Sequence, residues 1–332
     1  MEFVEGKESK IRILNAEDVS AVEEAAAAIR RGGLVAFPTE TVYGLGADAL
    51  NALAVARIFE VKQRPRIDPV IVHLADPDSA REYGHLPSEA AALMRRFWPG
   101  PLTLVVRKTG LIPPIVTAGL DTVGIRMPAH PAALALIRAA GRPVAAPSAN
   151  SFGYVSPTEV RHIPDRILNH VDAVLDGGRC VVGIESTVLS LTSSVPRILR
   201  AGGVSAEALK AVLGDLEWST SAQNRPEAPG QLSRHYATRT PLEILSQDNP
   251  AAMPRPHERA GLLALTDPGE SAGYTAVEVL SKTGDLREAA ANLFGALFRL
   301  DSLNLDRIVA HPMPEAGLGA AIMDRLRRCA AK

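Results

Sequence analysis

Cysteine is nearly absent: the 332 residues hold two, Cys180 and Cys329. So few thiols, so far apart, exclude a disulfide framework and a cysteine-built metal site, and they fit a reducing compartment. Long apolar runs are missing as well. The longest stretch without a charged residue, 143–158, is broken by prolines and a glycine and falls short of the ~20 apolar residues that a membrane-spanning helix needs. Met1–Lys7 has neither the basic start nor the apolar stretch of a secretory signal, so the expectation is a cytoplasmic protein with no membrane partner. Charge of one sign is not in excess either. Lys and Arg number 36 against 37 Asp and Glu, for a net charge of −1, and neither half of the chain is basic, so no stable nucleic-acid partner is expected and any such role would rest on a local patch. Recognisable catalytic motifs are lacking too. The 8 histidines show no H-E-x-x-H spacing, no G-x-S-x-G or C-x-x-C occurs, and nothing calls for a covalent intermediate or a direct metal ligand.

What is present is an ordinary globular composition, 46% hydrophobic and 22% charged, of a length that fits about two domains of ~150 residues. Short apolar runs alternate with helical patterns, which predicts an α/β protein. Ser20-Ala21-Val22-Glu23 reads as a capping box opening a helix that Gly32-Gly33 ends, and 53–62 reads as a second helix. Strands are expected at 34–37, 70–73, 102–107, 123–127, 144–146, 187–191 and 197–199. From Ser219 the chain turns polar and proline-rich, which predicts a linker over 218–258 between a first domain, 1–217, and a smaller α/β domain, 259–332. In that last part 261–265, 277–280 and 307–310 are strand-like, and 286–300 carries an apolar helical stripe.

Several constellations have chemical potential. Gly44-Leu45-Gly46-Ala47-Asp48-Ala49 fits G-x-G-x-x-G/A, but it starts too far beyond the strand ending at Phe37 for a dinucleotide turn, so the glycines read as a tight turn into a helix. Lys62, Arg64 and Arg66 cluster where a helix ends at Pro65. Compensation of the helix dipole explains part of that, and holding a polyanion such as triphosphate is the alternative. Pro147-Ser148-Ala149-Asn150-Ser151 follows a strand, at the end where open α/β sheets place ligands, although a plain turn needs the same residues. Glu185-Ser186-Thr187 and Arg200-Ala201-Gly202-Gly203 also flank strands. Arg126, inside an apolar run, calls for an anionic partner. His162 and His170 read as solvent-facing helix residues. These residues together define an α/β protein with a cationic, hydroxyl-rich pocket for an anionic ligand.

The ordered set Pro38-Thr39-Glu40-Thr41-Val42-Tyr43-Gly44-Leu45, Lys62-x-Arg64-Pro65, Val72-His73, Trp98-Pro99-Gly100-Pro101-Leu102-Thr103, Arg126-Met127-Pro128, Pro147-Ser148-Ala149-Asn150, Ser186-Thr187-Val188 and Ile198-Leu199-Arg200 resembles the YrdC-type family. Within it the chain resembles the long threonylcarbamoyl-AMP synthases. The linker motif around Arg234-His235-Tyr236 and the tail from Gly317 to Leu326 carry the likeness through the second domain. The resemblance implies a twisted mixed-sheet YrdC-like catalytic domain joined by a linker to a small Rossmann-like α/β domain. It implies that L-threonine, bicarbonate or CO2 and ATP, with Mg²⁺ carried on the phosphates, give threonylcarbamoyl-adenylate and pyrophosphate. The adenylate then passes to a downstream tRNA-modifying transferase. Residue by residue, it implies that Thr41, His73, Arg126, Ser186 and the backbone of Ala146 hold threonine. Lys62, Arg64, Asp68, Thr122, Ser148, Asn150, Ser156 and Arg200 would surround ATP, with Lys62 and Arg64 as the catalytic cations and Tyr236 on a lid over the nucleotide. Two departures stand out: Asp68 occupies a position where many members carry asparagine, and Gln231-Leu232-Ser233 replaces a Met-Lys-Tyr type of linker. An RNA-binding module of the same fold is the competing reading, disfavoured by the charge balance. A carbamoyltransferase for metal-centre maturation would need cysteine-rich zinc modules that two cysteines cannot build.

Overall fold

A computed structural model describes residues 11–219, 226–231, 235–245, 254–255, 257–269 and 271–331. The local chemistry of the sequence sets its first elements. The helix Val19–Arg30 is capped by Asp18, whose carboxylate accepts from Ser20 N. Ser20 is therefore not the cap expected of it: its hydroxyl donates to the same Asp18 oxygen at 2.9 Å, and the helix starts two residues sooner. The next helix, Ala52–Lys62, is capped by Asn51, which accepts from Leu53 N and Ala54 N, and it ends on Gln63 in the left-handed conformation, φ 53°. That ending turns the chain sharply enough to leave Lys62 and Arg64 pointing into the same buried region.

Gly44–Asp48 is a buried strand rather than a turn into a helix. It pairs antiparallel with Val35–Phe37, with Val35 opposite Gly46 and Phe37 opposite Gly44. A Cβ on Gly46 would lie 2.7 Å from the Phe37 ring and 2.9 Å from Val144, so here the glycine makes room for an aromatic ring lying across the strand.

Among the described residues twelve strands form one mixed sheet. Its edge runs Ile13–Asn15, Ala173–Asp176, Val35–Phe37 and Gly44–Asp48, then continues through Val144–Ala145, Val72–His73 and Thr122–Arg126. Leu102–Lys108, Thr187–Ser190, Arg197–Arg200 and Glu217–Trp218 complete the path, with Gly84–His85 beside Leu102–Lys108. Parallel and antiparallel pairs are mixed along it, two parallel pairs at the Ile13–Asn15 end giving way to three antiparallel ones. Helices cover it, with Val19–Arg30 and Pro131–Ala140 packed together over one end.

A second sheet is parallel throughout, in the order Leu242–Ile244, Arg307–Ala310, Ala260–Ala264, Ala276–Val279. Leu286–Asp301 and Gly319–Ala330 pack on it, and their apolar stripes build a core around Leu293, Phe294, Leu297 and Ile322. Leu242–Ile244 falls inside the proline-rich 218–258 stretch, and Glu217–Trp218 is a strand of the first sheet. The covalent crossing between the sheets thus lies in 219–241, of which 220–225 and 232–234 lie outside the described residues.

The two sheets are docked through side chains that were not expected at a junction. The His162 ring stacks on Phe298 at 4.2 Å and 8°, so His162 is half-buried at the junction instead of facing solvent on a helix. His170 is exposed, as expected. Arg179 donates to Ala291 O at 2.8 Å and to Asn292.

The close packing at Arg200–Gly203 yields a test. A Cβ on Gly202 would stand 2.3 Å from Glu185 O and Ser186 C and 2.4 Å from Thr187 N, all backbone atoms with no rotamer to yield. Gly202→Ala is expected to lower stability by roughly 1–3 kcal/mol, the usual range for overpacking a tight site. A urea-unfolding midpoint equal to that of the unsubstituted protein would contradict this packing.

Candidate functional site

The site forms where strands and loops of the first sheet bring cations together out of water. Val72–His73 pairs with Thr122–Arg126 so that His73 lies opposite Arg126, and on its other side His73 lies opposite Val144. The loop after Val144–Ala145 is pinned by main-chain bonds: Leu45 N donates to Pro147 O and Ala149 N to Tyr43 O, both at 2.8 Å. Ala146 N is taken by Ile71 O at 3.0 Å.

Lys62, 2% exposed, donates to Ser148 O at 2.6 Å, Asn150 O at 2.5 Å and Asn150 Oδ1 at 2.9 Å. Asn150 Oδ1 also accepts from Ser148 Oγ, and Asn150 Nδ2 donates to Tyr154 O. Burial drives the Lys62 ammonium well below the usual lysine range, and Arg64 nearby pushes the same way. Arg64 donates to Pro69 O at 2.8 Å and pairs with Asp68 at 2.9 Å. Asp68 is wholly enclosed. Burial raises its carboxyl above the usual range, with Arg64, Lys62 and Arg200 opposing. The neighbouring cation that a carboxylate at this position requires is therefore Arg64.

Arg126 has the anionic partner its buried setting called for. Its Nη2 donates to Glu40 Oε1 at 2.7 Å and to Thr41 Oγ1 at 3.0 Å, while Glu40 Oε2 accepts from Ala129 N at 3.0 Å. Glu40, 86 residues away in sequence, was not anticipated. His73 has no hydrogen-bond partner for Nδ1 among the described residues. Burial, helped by Arg126, holds its imidazole down at about 3, so the ring is neutral at physiological pH.

Arg200 donates to Ser186 O at 2.9 Å, Ser186 Oγ at 3.1 Å and Pro229 O at 3.1 Å, and Ser186 Oγ also meets Thr103 Oγ1 at 2.8 Å. Thr41, His73, Arg126, Ala146, Ser148, Ser186, Arg64 and Arg200 thus line a single cavity of about 50 Å³ together with Glu185, Pro229 and His235. Lys62 and Asn150 form the buried knot behind Ser148. Asp68, paired with Arg64, also stands off this wall, and so do three further expected residues. Thr122 borders a separate small cavity with Glu227, Ala228 and Pro229. Ser156 is wholly buried and donates to Glu185 Oε1 at 2.6 Å. Tyr236, 0% exposed with φ 65°, packs between His235 at 4.1 Å and Phe294 at 5.7 Å. Its neighbour His235 is the residue that reaches the cavity.

Glu185 is the other residue that sequence reading left without a role. Burial alone would raise its carboxyl, but Arg325, Arg200 and the Ser156 hydroxyl outweigh that and hold it at about 2. The cations Lys62, Arg64, Arg126 and Arg200 therefore face the carboxylates Glu40, Asp68 and Glu185, and the walls keep a positive excess. Such a site receives a small anionic ligand through charge-assisted hydrogen bonds. It holds no group of three or more His, Cys, Asp or Glu able to bind a metal among the described residues.

Fold and site together define a two-domain α/β protein with a buried, cationic, hydroxyl-lined site for an anionic ligand. A family model of the Sua5, YciO and YrdC type, described as telomere recombination, matches residues 27–202, and one described as the C-terminal domain of threonylcarbamoyl-AMP synthase matches residues 204–331. The threonylcarbamoyl-AMP synthase of Pyrococcus abyssi is 42% identical over 315 residues, 92% of each chain. That of Bacillus subtilis is 42% identical over 320 residues, 93% of this chain and 92% of its own. The crystal structure of P. abyssi Sua5 complexed with L-threonine superimposes with a TM-score of 0.89 at 38% identity, covering 97% of this chain and 98% of that one. The chain belongs to the threonylcarbamoyl-AMP synthase family, enzymes of the adenylyltransferase type, in its two-domain form.

The buried imidazoles give a pH test. Burial holds His73 and His235 at about 3 and His162 at about 4, below the ordinary histidine value of ~6.5. Below pH 6.5 the unfolded chain binds protons that the folded one refuses, so stability is complete above that value and declines as pH falls toward 3. Glu185, ionised down to about 2, adds its own loss only below its unfolded value near 4.5. Urea midpoints are expected to be level above pH 7 and to fall between pH 6.5 and 5. A flat profile across that interval would contradict the buried neutral rings.

Proposed function

We propose that this chain condenses L-threonine, bicarbonate or CO2 and ATP into L-threonylcarbamoyladenylate and pyrophosphate, for the N6-threonylcarbamoyladenosine modification of tRNA. The observation that carries the reading is the convergence of Arg126, Thr41, His73 and Ser186 on one buried cavity, in a chain similar over its length to a protein solved with L-threonine.

In this reading Arg126 shares its guanidinium between Glu40 and the threonine carboxylate, and Thr41, Ser186 and the neutral His73 hold the hydroxyl and amine. The ammonium loses one proton to solvent, the free amine forms a C–N bond to CO2, itself left when protonated bicarbonate loses water, and the nitrogen releases a second proton to solvent to give a carbamate. A carbamate oxygen then attacks the α-phosphorus, and the bond to the β-phosphate oxygen breaks to release pyrophosphate. No protein nucleophile is needed. Lys62, Arg64 and Arg200 supply fixed positive charge toward the phosphates, with Ser148 and Asn150 holding Lys62 in line, which is catalysis by positioning and charge stabilisation. Mg²⁺ arriving on the triphosphate would supply further positive charge beside Lys62, Arg64 and Arg200. Thr122, Ser156 and Asp68 act around the nucleotide from the second rank of residues.

A ligand of ATP's size occupies several hundred Å³, far more than the cavity of about 50 Å³. In this reading Pro229 and His235, which line the cavity, move aside to admit it and return over it, and the segment bearing Tyr236 acts as a lid. Closure protects a carbamate and a reactive adenylate from water. In this division of labour residues 1–217 carry the chemistry, 218–258 the cover and 259–332 its anchor. The product passes in the cytoplasm to a tRNA-modifying transferase.

The test is pyrophosphate release from ATP and Mg²⁺, with threonine and bicarbonate supplied together and each left out in turn. Release is expected only with both. Arg126→Ala is expected to weaken threonine binding about 10–100-fold, the loss of one charge-assisted contact, and Lys62→Met to lower kcat by about 100-fold. Release indifferent to threonine would remove the substrate assignment.

A further inference from the structure

The second domain brings one charged group into the site's surroundings. Arg325, on the helix Gly319–Ala330, has no solvent exposure, unusual for the side chain that is costliest to strip of water. Its Nε donates to Glu185 Oε2 at 3.0 Å across 140 residues of sequence, and Nη1 donates to Asp324 at 2.7 Å. Its guanidinium carbon sits 4.9 Å from the centre of the Tyr236 ring, within cation–π range. Three parts of the chain meet on this one plane: the residue preceding Ser186, the aromatic of the crossing segment and the C-terminal helix. The first two lead to the cavity within one residue. Glu185 itself lines it and adjoins Ser186, and Tyr236 adjoins His235.

A purely apolar contact would hold two domains together at least as well, because a buried ion pair gains little net stability over packed hydrocarbon. What the pair adds is direction. A guanidinium is planar and fixes its acceptor in distance and angle, and Glu185, with Ser156 on its other oxygen, has no freedom left to turn. Tyr236, held by the face of its ring, leaves its hydroxyl without a partner among the described residues, so the ring's position is set by stacking and not by a hydrogen bond.

We infer that Arg325 is a positioning residue for the reaction proposed above, gripping Glu185 and Tyr236 together and so setting where Pro229 and His235 lie over the cavity. The second domain thereby takes part in nucleotide binding without touching the nucleotide. The inference rests on the proposed reaction for its meaning but is read by ligand affinity, independently of turnover.

The experiment compares Arg325→Gln, Arg325→Lys and the double variant Arg325→Gln/Glu185→Gln with the unsubstituted full chain. Calorimetric affinities for Mg·ATP and for L-threonine are measured beside Tm. Arg325→Gln is expected to weaken ATP binding by about tenfold or more while changing threonine affinity less than about twofold, since Arg126, His73 and Thr41 belong to the first sheet and its loops. Arg325→Lys, which keeps the charge but not the flat stacking surface, should recover part of the ATP affinity. The double variant removes the stranded carboxylate, so its Tm should rise above that of Arg325→Gln while ATP affinity stays low, a separation that a merely structural role would not produce.

ATP affinity of Arg325→Gln within twofold of the unsubstituted protein would overturn the inference. So would an equal loss for threonine, or ATP affinity that returns with Tm in the double variant. Should Arg325→Gln fail to fold, the affinities of the double variant and of Arg325→Lys decide between the same two outcomes. An unsubstituted protein that binds ATP yet releases no pyrophosphate would sink the proposed reaction, and the affinities would still decide the role of Arg325.

Discussion

The structure depends on keeping cations out of water without leaving them unpaired. An ammonium or guanidinium stripped of solvent costs several kcal/mol unless its hydrogens meet oxygen acceptors, and the first domain buries Lys62, Arg64, Arg126 and Arg200 side by side. The acceptors come from main-chain carbonyls at the ends of short strands and helices, Ser148, Asn150, Pro69, Gly100 and Ser186 among them. This accounts for a sheet of many short strands and many bends. Long, regular strands would commit those carbonyls to their neighbours and have none to offer. The remaining charge is met by Glu40, Asp68 and Glu185, and the pocket is left with an appetite for one more anion.

How much of this was legible follows from the range of each interaction. The helix Leu286–Asp301 and the strand Arg307–Ala310 could be read because their apolar periodicity is local and uninterrupted. Gly44–Asp48 could not: alternating glycines carry no hydropathy signal, and the Phe37 ring that explains them lies on the neighbouring strand. The missed strand Leu242–Ile244 was hidden by the proline-rich stretch around it. Arg126, Ser148 and Ser186 stood out from their places beside short strands, Thr41 and His73 only by resemblance, and all five meet at one cavity. Their counter-charges were not found. Glu40 and Glu185 pair with arginines 86 and 140 residues away, and nothing near them in sequence records the pairing. An expectation that buried Arg126 needs an anion was the sole trace of this, and it named no partner.

The same range argument explains the error at His162. Read alone it is a polar residue beside Arg161 and Pro164. The Phe298 face that takes it out of water belongs to the second domain. Residues at a junction between domains look like surface residues until both domains are seen, and this junction includes Ser156, Glu185, Tyr236 and Arg325 as well.

The 140-residue separation of Glu185 and Arg325 also has a meaning in time. A chain made from its N-terminus at about 5–20 residues per second completes position 185 roughly 7–28 s before position 325. Early in that interval the last strands of the first sheet, Thr187–Ser190, Arg197–Arg200 and Glu217–Trp218, are made, and Pro229 and His235 follow, but the Glu185 oxygen that Arg325 will hold is still served by water and no guanidinium yet grips Tyr236. The contact that ties the two domains at the cavity is therefore among the last made in synthesis, and the first domain waits for it with its charges already gathered.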